Sequence, residues 1–517
     1  MTDKDALKLE EMGYKPELKR GYNVWQVLGV GFGLTNSWFG VSASLVTGIS
    51  SGGPMMIIYG VIIVAFTALG VGGSLSELAS AFPNSGGQYY WTTILAPEKY
   101  GSFLAYMCGA LAWPGAVFTS ASVTLSIATG VIGMWTMTHP GFEPAAWQVF
   151  IAYELANIAT FVFNSHSRIL PLMGSYALYV SLFSMVLITL VVLICARGNY
   201  QDAHFVFVEF TNNTGWSSGG IAFIVGLIGP AWGFSCLDCA THLAEEVPRP
   251  EKMVPIAIMG TVGIGFATAF VYSISVFFAV KDLDAIVNTV TGVPILELYY
   301  QALGSKAGAV CLELLVVLTA VGCNAACNTW QARLLWSFSR DRGMPGSHIW
   351  SYVHPTLGVP FNAHLMSCIW VGLLGLLYLG STTAFNSIIT GCLIFQLLSY
   401  SIPVVCLLCY GRDNITHGTF WLGKWGYLAN FVCLGYALFA LVFFSFPAVM
   451  PADAGNMNYI CVVLGIYVAY ALIYWFARGK RTFRTAAERQ ETAVEILQSE
   501  DMKVIHESVS SKDGEKC

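Results

Sequence analysis

The chain has 517 residues, 56% of them hydrophobic and only 11% charged, and 25 Lys and Arg against 30 Asp and Glu leave a net charge of −5. So few polar residues cannot cover the apolar ones in water, which excludes a soluble multidomain protein and points to an integral membrane protein. The slight acidity is spread over tails and loops and predicts no nucleic-acid partner.

A bilayer core takes about 20 apolar residues per helix. Stretches of that kind lie near 24–49, 54–80, 101–136, 146–165, 171–196, 218–240, 254–280, 307–339, 364–380, 383–410, 425–446 and 457–477, an all-α multi-pass protein of twelve spans. Residues 1–22 are polar and read as a cytosolic tail, not a cleaved signal, with the first span directing insertion. The first span is interrupted by Gly29-Val-Gly31-Phe-Gly33-Leu-Thr-Asn36-Ser37-Trp38-Phe39-Gly40. The sixth is interrupted by Gly226-Leu-Ile-Gly229-Pro230-Ala-Trp232-Gly233-Phe234-Ser235. Unwound backbone at bilayer depth is tolerated only where it lines a cavity, and a matched pair of breaks points to a transporter's substrate site. The two are therefore expected to face one another at the midplane, although glycines also serve close helix packing.

Between and beyond the breaks, isolated polar and aromatic residues mark candidate roles. Trp113-Pro114 in span 3 combines an aromatic face with a carbonyl freed by proline. With Trp38, Phe39, Trp232, Phe234 and Trp330 it could enclose an ammonium group through cation–π attraction. Asp238 follows the second break within a span, where a charge is costly unless paired, hydrated or protonated. Glu154 in span 4 and Glu313 in span 8 are candidate proton carriers. Arg333 lies twenty residues, about 30 Å, beyond Glu313 on one helix, so its partner is sought in Asp341 or Glu77. Asn324, Asn328 and Thr329 either help bind a coupling ion or stitch helices together.

With the N-terminus inside, the cytosolic loops hold Lys99, Arg168, Arg249, Lys252, Arg340, Arg342, Arg412 and Lys424, and the outer loops only Arg197, Lys281 and Lys306, which places both termini in the cytosol. The sequon at Asn212 then falls outside as a glycosylation site, and the one at Asn414 inside. Arg478-Gly-Lys-Arg481 reads as a stop-transfer anchor, residues 486–497 as a short amphipathic helix, and the remainder as polar tail. The cysteines fall mainly within spans and read as small packing residues.

Three loops carry a family likeness: Ser76-Glu77 through Pro83, Gly86-Gly87 and Trp91; Glu245-Glu246-Val-Pro-Arg-Pro-Glu-Lys-Met-Val-Pro255; and Ser339-Arg-Asp-Arg-Gly-Met-Pro345 with Val353-His-Pro355. They resemble the cytoplasmic signatures of the amino acid, polyamine and organocation permease superfamily. Thr35-Asn-Ser-Trp-Phe-Gly40 and Ser50-Ser-Gly-Gly-Pro54 resemble its fungal choline and γ-aminobutyrate permeases. The resemblance implies two inverted five-helix repeats (spans 1–5 and 6–10, residues 23–410), two peripheral spans (411–477) and cytosolic tails (1–22 and 478–517). Substrate contacts are expected from Gly33, Asn36, Ser37, Trp38, Phe39 and Gly40 of the first break and from Trp113, and the resemblance adds Trp232, Gly233, Phe234, Ser235 and Asp238, with Trp232 as a lid. Asp238 falls where such permeases often carry an acidic gate, and Asn324 and Asn328 where sodium-driven members of the fold bind their ion. The span-5 lysine of proton-coupled bacterial relatives is absent.

These features predict a plasma-membrane secondary transporter that imports choline, γ-aminobutyrate or a related amino compound, most simply with a proton as coupling ion and with membrane lipid as its surroundings. A general amino-acid or polyamine permease or exchanger, and a nutrient receptor, are the alternatives; the tail from Lys480 is short for a receptor. An enzyme is disfavoured by the lack of HExxH, GxSxG, P-loop or paired catalytic carboxylates, and no cofactor is predicted.

Overall fold

The computed structural model describes residues 9–10, 12–485 and 488. The amphipathic helix predicted over 486–497 lies outside them, residue 488 aside. In chain order the helices are α1 (Val24–Thr35), α2 (Ser37–Ala43), α3 (Leu45–Ser50), α4 (Gly53–Ala81), α5 (Gln88–Leu95), α6 (Glu98–Thr138), α7 (Ala146–Phe163), α8 (Leu170–Cys195), α9 (Ala203–Phe207), α10 (Gly219–Gly226), α11 (Ile228–Trp232), α12 (Pro250–Phe278), α13 (Leu283–Val287), α14 (Pro294–Leu303), α15 (Lys306–Arg340), α16 (Ser347–Trp350), α17 (Phe361–Gly380), α18 (Thr382–Tyr410), α19 (Trp425–Phe443) and α20 (Ile460–Tyr474). A wider turn at Trp475–Gly479 carries α20 into α21 (Lys480–Thr482). Among the described residues, ten segments are long and apolar enough to cross a bilayer: α4, α6, α7, α8, α12, α15, α17, α18, α19 and the composite Ile460–Thr482. The thirteen described cysteines are free thiols.

The stretches predicted at 24–49 and 218–240 are not single helices. In the first, the glycines do not make the break. Gly29 and Gly33 lie inside α1, where an added Cβ would stand 2.1 Å from the Gly174 carbonyl oxygen and 2.6 Å from the Ala177 Cβ. They let α1 and α8 touch along their backbones, the packing use of glycine in membrane helices. The chain breaks instead at Asn36, whose φ of 37° and ψ of 64° are left-handed, a conformation that Asn tolerates better than most residues. A second bend follows at Ser44, whose hydroxyl donates to the Gly40 carbonyl at 2.7 Å. In the second stretch, α10 gives way at Leu227 to the single turn α11, and Cys236 then adopts a φ of 60°. From Gly233 to Arg249 the chain runs as turns with one 3-10 turn at Thr241–Leu243, so the predicted continuation of this span to residue 240 is not helical.

The long helices wrap these interrupted segments. α4 packs on α12, α6 on both α15 and α18, α7 on α17, and α1 on α8. α19 lies against α4, and α20 against α18.

Candidate functional site

The two breaks are in contact. A Cβ on Gly40 would stand 2.6 Å from the Gly233 Cα, and one on Gly233 would stand 3.0 Å from the Ser37 carbonyl oxygen. Thr35 donates its hydroxyl to the Ser235 carbonyl at 3.0 Å, so one break satisfies a backbone group left open by the other. Gln396 of α18 serves the second break from the side: its Oε1 accepts from the Cys236 amide at 2.9 Å, and its Nε2 donates to Thr119 Oγ1 of α6 at 2.9 Å. Gln396 is fourteen residues from either end of Thr382–Tyr410, so the second break lies at the middle of a membrane-length helix. Gln396 and Thr119 escaped the sequence reading; the available signal was an isolated amide within an apolar span.

A cavity of about 620 Å³ opens between the start of α18 and residues 455–458 and descends to Trp232, with Ser44, Thr47, Ser126 and Asn386 among its walls. The Trp232 indole donates to Ser122 Oγ at 3.2 Å, and its ring lies 5.8 Å from that of Phe39 at 60°. A smaller cavity of about 70 Å³ shares Ala43 and Ser126 with the first and is lined by Phe39, Ser42 and Glu313. Glu313 is only 2% exposed, and its Oε2 has no hydrogen-bond partner.

Other predicted site residues have different surroundings. Trp38 is fully buried, donating to Ser181 Oγ at 2.8 Å and packing edge-on against Tyr272, while Ser181 donates to Asn36 Oδ1 at 3.0 Å. This triad fixes the first break onto α8. Ser37 Oγ is buried without a partner. Phe234 lines a separate crevice of about 20 Å³ with Ser235 and Tyr400. Trp113 lines none of these cavities and donates to Ser367 of α17 at 3.1 Å; Trp330 is equally buried away from them. Asn324 accepts from Ser120 and Thr124 of α6 and donates to Thr160 of α7, tying three helices together. Asn328 Oδ1 accepts from Gln331 and Cys368. Glu154 faces Gly372 and Gly375 of α17, apart from the breaks.

Asp238 lies in the turns beyond the second break, 1% exposed, and does not border the large cavity. Oδ1 accepts from the Tyr400 hydroxyl and Oδ2 from the Gln88 amide, each at 2.5 Å, and His242 Nε2 lies 3.1 Å from Oδ2. The same turns carry Glu245 and Glu246 beneath α15. Arg333 pairs there with Glu246 (2.8 and 3.2 Å) and Arg340 with Glu245 (2.6 and 2.9 Å). This corrects the expected partners of Arg333: Asp341 instead accepts from Tyr14 at 3.0 Å, and Glu77 holds Arg412 at 2.5 and 2.9 Å. Two consecutive glutamates reach both arginines because residues seven apart share one face of a helix. The Asn212 side chain sits in its own turn, accepting from Thr214 and donating to the Trp216 carbonyl at 2.7 Å.

The sequence profile described as Amino acid permease matches residues 22–467. A choline transporter of Saccharomyces cerevisiae is 56% identical over 484 residues, covering 94% of this chain and 86% of the relative. The yeast GABA-specific permease is 28% identical over 479 residues, covering 91% and 84%. A crystal structure of the Eremococcus coleocola manganese transporter, in complex with an aromatic bis-isothiourea substituted compound, superposes with a TM-score of 0.55 at 13% identity over 89% of this chain and 95% of that one, a likeness of fold alone. With a profile spanning most of its length and relatives that are transporters and not enzymes, this multi-pass membrane protein belongs to the amino acid permease family.

Proposed function

We propose that this permease imports choline, or a closely related small amino compound such as γ-aminobutyrate, across the plasma membrane by alternating access driven by a proton gradient. The observation that carries the reading is a single-sided cavity ending on Trp232, whose ring packs on Phe39 where the two breaks meet, while ion pairs close the opposite side. That is one half of an alternating-access cycle. A quaternary ammonium has no proton to donate and is recognised by negative charge and aromatic faces. Trp232 in the large cavity, with Phe39 and the unpartnered Glu313 Oε2 in the small one beside it, offers both, and the 56% likeness to a choline transporter favours choline.

In this reading the two broken segments count as spans 1 and 6, giving twelve spans arranged as two inverted repeats with two peripheral helices. The packing of α4 on α12, α6 on α15 and α7 on α17, the pairs such a repeat relates, supports this. Both termini lie in the cytosol, the cavity opens outward, and Asn212 carries the glycan.

Uptake of radiolabelled choline, γ-aminobutyrate and a basic amino acid into vesicles, with and without an imposed pH gradient, tests the proposal. Saturable choline accumulation that rises when the outside is acid is the expected result. Transport of another of these compounds with choline ignored would overturn the substrate assignment, and accumulation indifferent to the gradient would overturn the proton drive.

A further inference from the structure

His242 is fully buried in the 3-10 turn four residues after Asp238. Its Nδ1 lies 2.7 Å from the Ser85 carbonyl oxygen and its Nε2 lies 3.1 Å from Asp238 Oδ2. A carbonyl oxygen only accepts, so Nδ1 bears a hydrogen. A neutral ring so protonated turns the Nε2 lone pair toward a carboxylate oxygen, two acceptors in contact. The arrangement closes only with one more proton between Nε2 and Oδ2, held as imidazolium and carboxylate or as imidazole and carboxylic acid. Either form is neutral overall; removing the proton leaves a buried net negative charge and opposed lone pairs.

We propose that the Asp238–His242 pair is the site that carries the driving proton, and that it gives the proton up on the inner side when the closure opens. This rests on the proton-driven reading above. The protonated pair joins the turns after the second break to Ser85, to Gln88 of α5 and to Tyr400 of α18. The next residues of those turns, Glu245 and Glu246, hold Arg340 and Arg333 of α15. When this segment parts from α15, inner-side water reaches the pair and takes the proton, which cuts the contact to His242. No bond other than that to the proton is made or broken. The other ionisable groups facing the pair are the Tyr400 hydroxyl of α18, the Cys108 thiol of α6, and Cys236 and Cys239 on the same segment. The arginines of the adjacent closure are engaged by its glutamates.

The test compares wild type, His242→Gln and Asp238→Asn in proteoliposomes. Both substitutions keep hydrogen-bonding capacity and remove the place where the extra proton sits. Gradient-driven accumulation of radiolabelled choline should fall about tenfold or more in each, while counterflow of choline against choline, which needs no net proton movement, continues within about twofold. Accumulation at the wild-type level in either variant overturns the proposal. Loss of counterflow in both overturns it too, because the pair would then be framework. A wild-type protein whose accumulation ignores the pH gradient would instead sink the proton drive itself, a failure visible before any variant is made.

Discussion

In the proposed function two side chains, Trp232 in the large cavity and Glu313 in the small one beside it, divide the work of holding a cation. Trp232 presents an aromatic face that is only partly buried, and each such contact is worth about 0.5–2 kcal/mol, about two- to thirtyfold in affinity. Trp232→Ala should weaken choline uptake by that factor at near-normal protein abundance; unchanged uptake kinetics would remove the residue from the site. Glu313 is the proposed source of charge. Glu313→Gln should raise the choline concentration for half-maximal uptake about tenfold or more, equivalent to about 1.4 kcal/mol. Glu154→Gln provides the control: its carboxyl faces α17, so half-saturation should stay within about twofold, and equal effects from the two substitutions would show a general response to lost charge. The sequence marked both glutamates as charges within spans but could not rank them, because nothing in the chain tells which helix face meets a cavity. Asp238 was equally visible, whereas its partners Gln88 and Tyr400 come from α5 and α18, and His242 lies four residues on in the same turns.

At the scale of the elements, the second break was legible to within a few residues because Gly229-Pro230 and Gly233 leave few helical alternatives. The first was displaced. Gly29, Gly31 and Gly33 are the conspicuous signal, yet they serve contact with neighbouring helices, and the chain turns at Asn36, whose left-handed backbone a pattern of apolar residues does not reveal. Short helices such as α5 and α14 also escaped, since a search for about 20 apolar residues passes over segments of eight or ten. Glycine roles can be separated by experiment. Gly40→Ala drives a methyl to 2.6 Å from the Gly233 backbone, which cannot rotate aside, so strain of about 1–3 kcal/mol should push the breaks apart and lower maximal uptake about fivefold or more. Gly263→Ala in α12 meets no atom within 4 Å and should leave uptake unchanged. Equal tolerance of both would mean that the close approach of the breaks is not needed for transport.

For the whole molecule, the state captured is open on one side because the other is bound shut. Arg333 and Glu246 are both almost fully buried, and Arg340, paired with Glu245, also lies over the Tyr14 and Trp336 rings at 4.2 and 4.3 Å. The segment before α1 adds to the seal: Leu9, Tyr14, Leu18 and Tyr22 are buried, and the Gly21 amide donates to the Glu246 carbonyl at 3.1 Å. Removing one member of a buried ion pair leaves the other charge uncompensated, at a cost of about 3–5 kcal/mol. With the cavity facing outward as proposed, Glu246→Gln should therefore destabilise the inward-closed state and shift the protein toward an inward-open form, narrowing the outer cavity as it does so. Ser122 at the cavity floor reports the change: in a Ser122→Cys background, labelling by a membrane-impermeant thiol reagent applied outside, measured as the increment over the parent, should slow about tenfold or more on adding Glu246→Gln. Adding Arg333→Gln as well removes the stranded charge and should restore most of the labelling. If Glu246→Gln leaves the labelling rate as it was, the closure is held by Arg340, Glu245 and the N-terminal segment, and the Arg333 pair is a packing feature of α15.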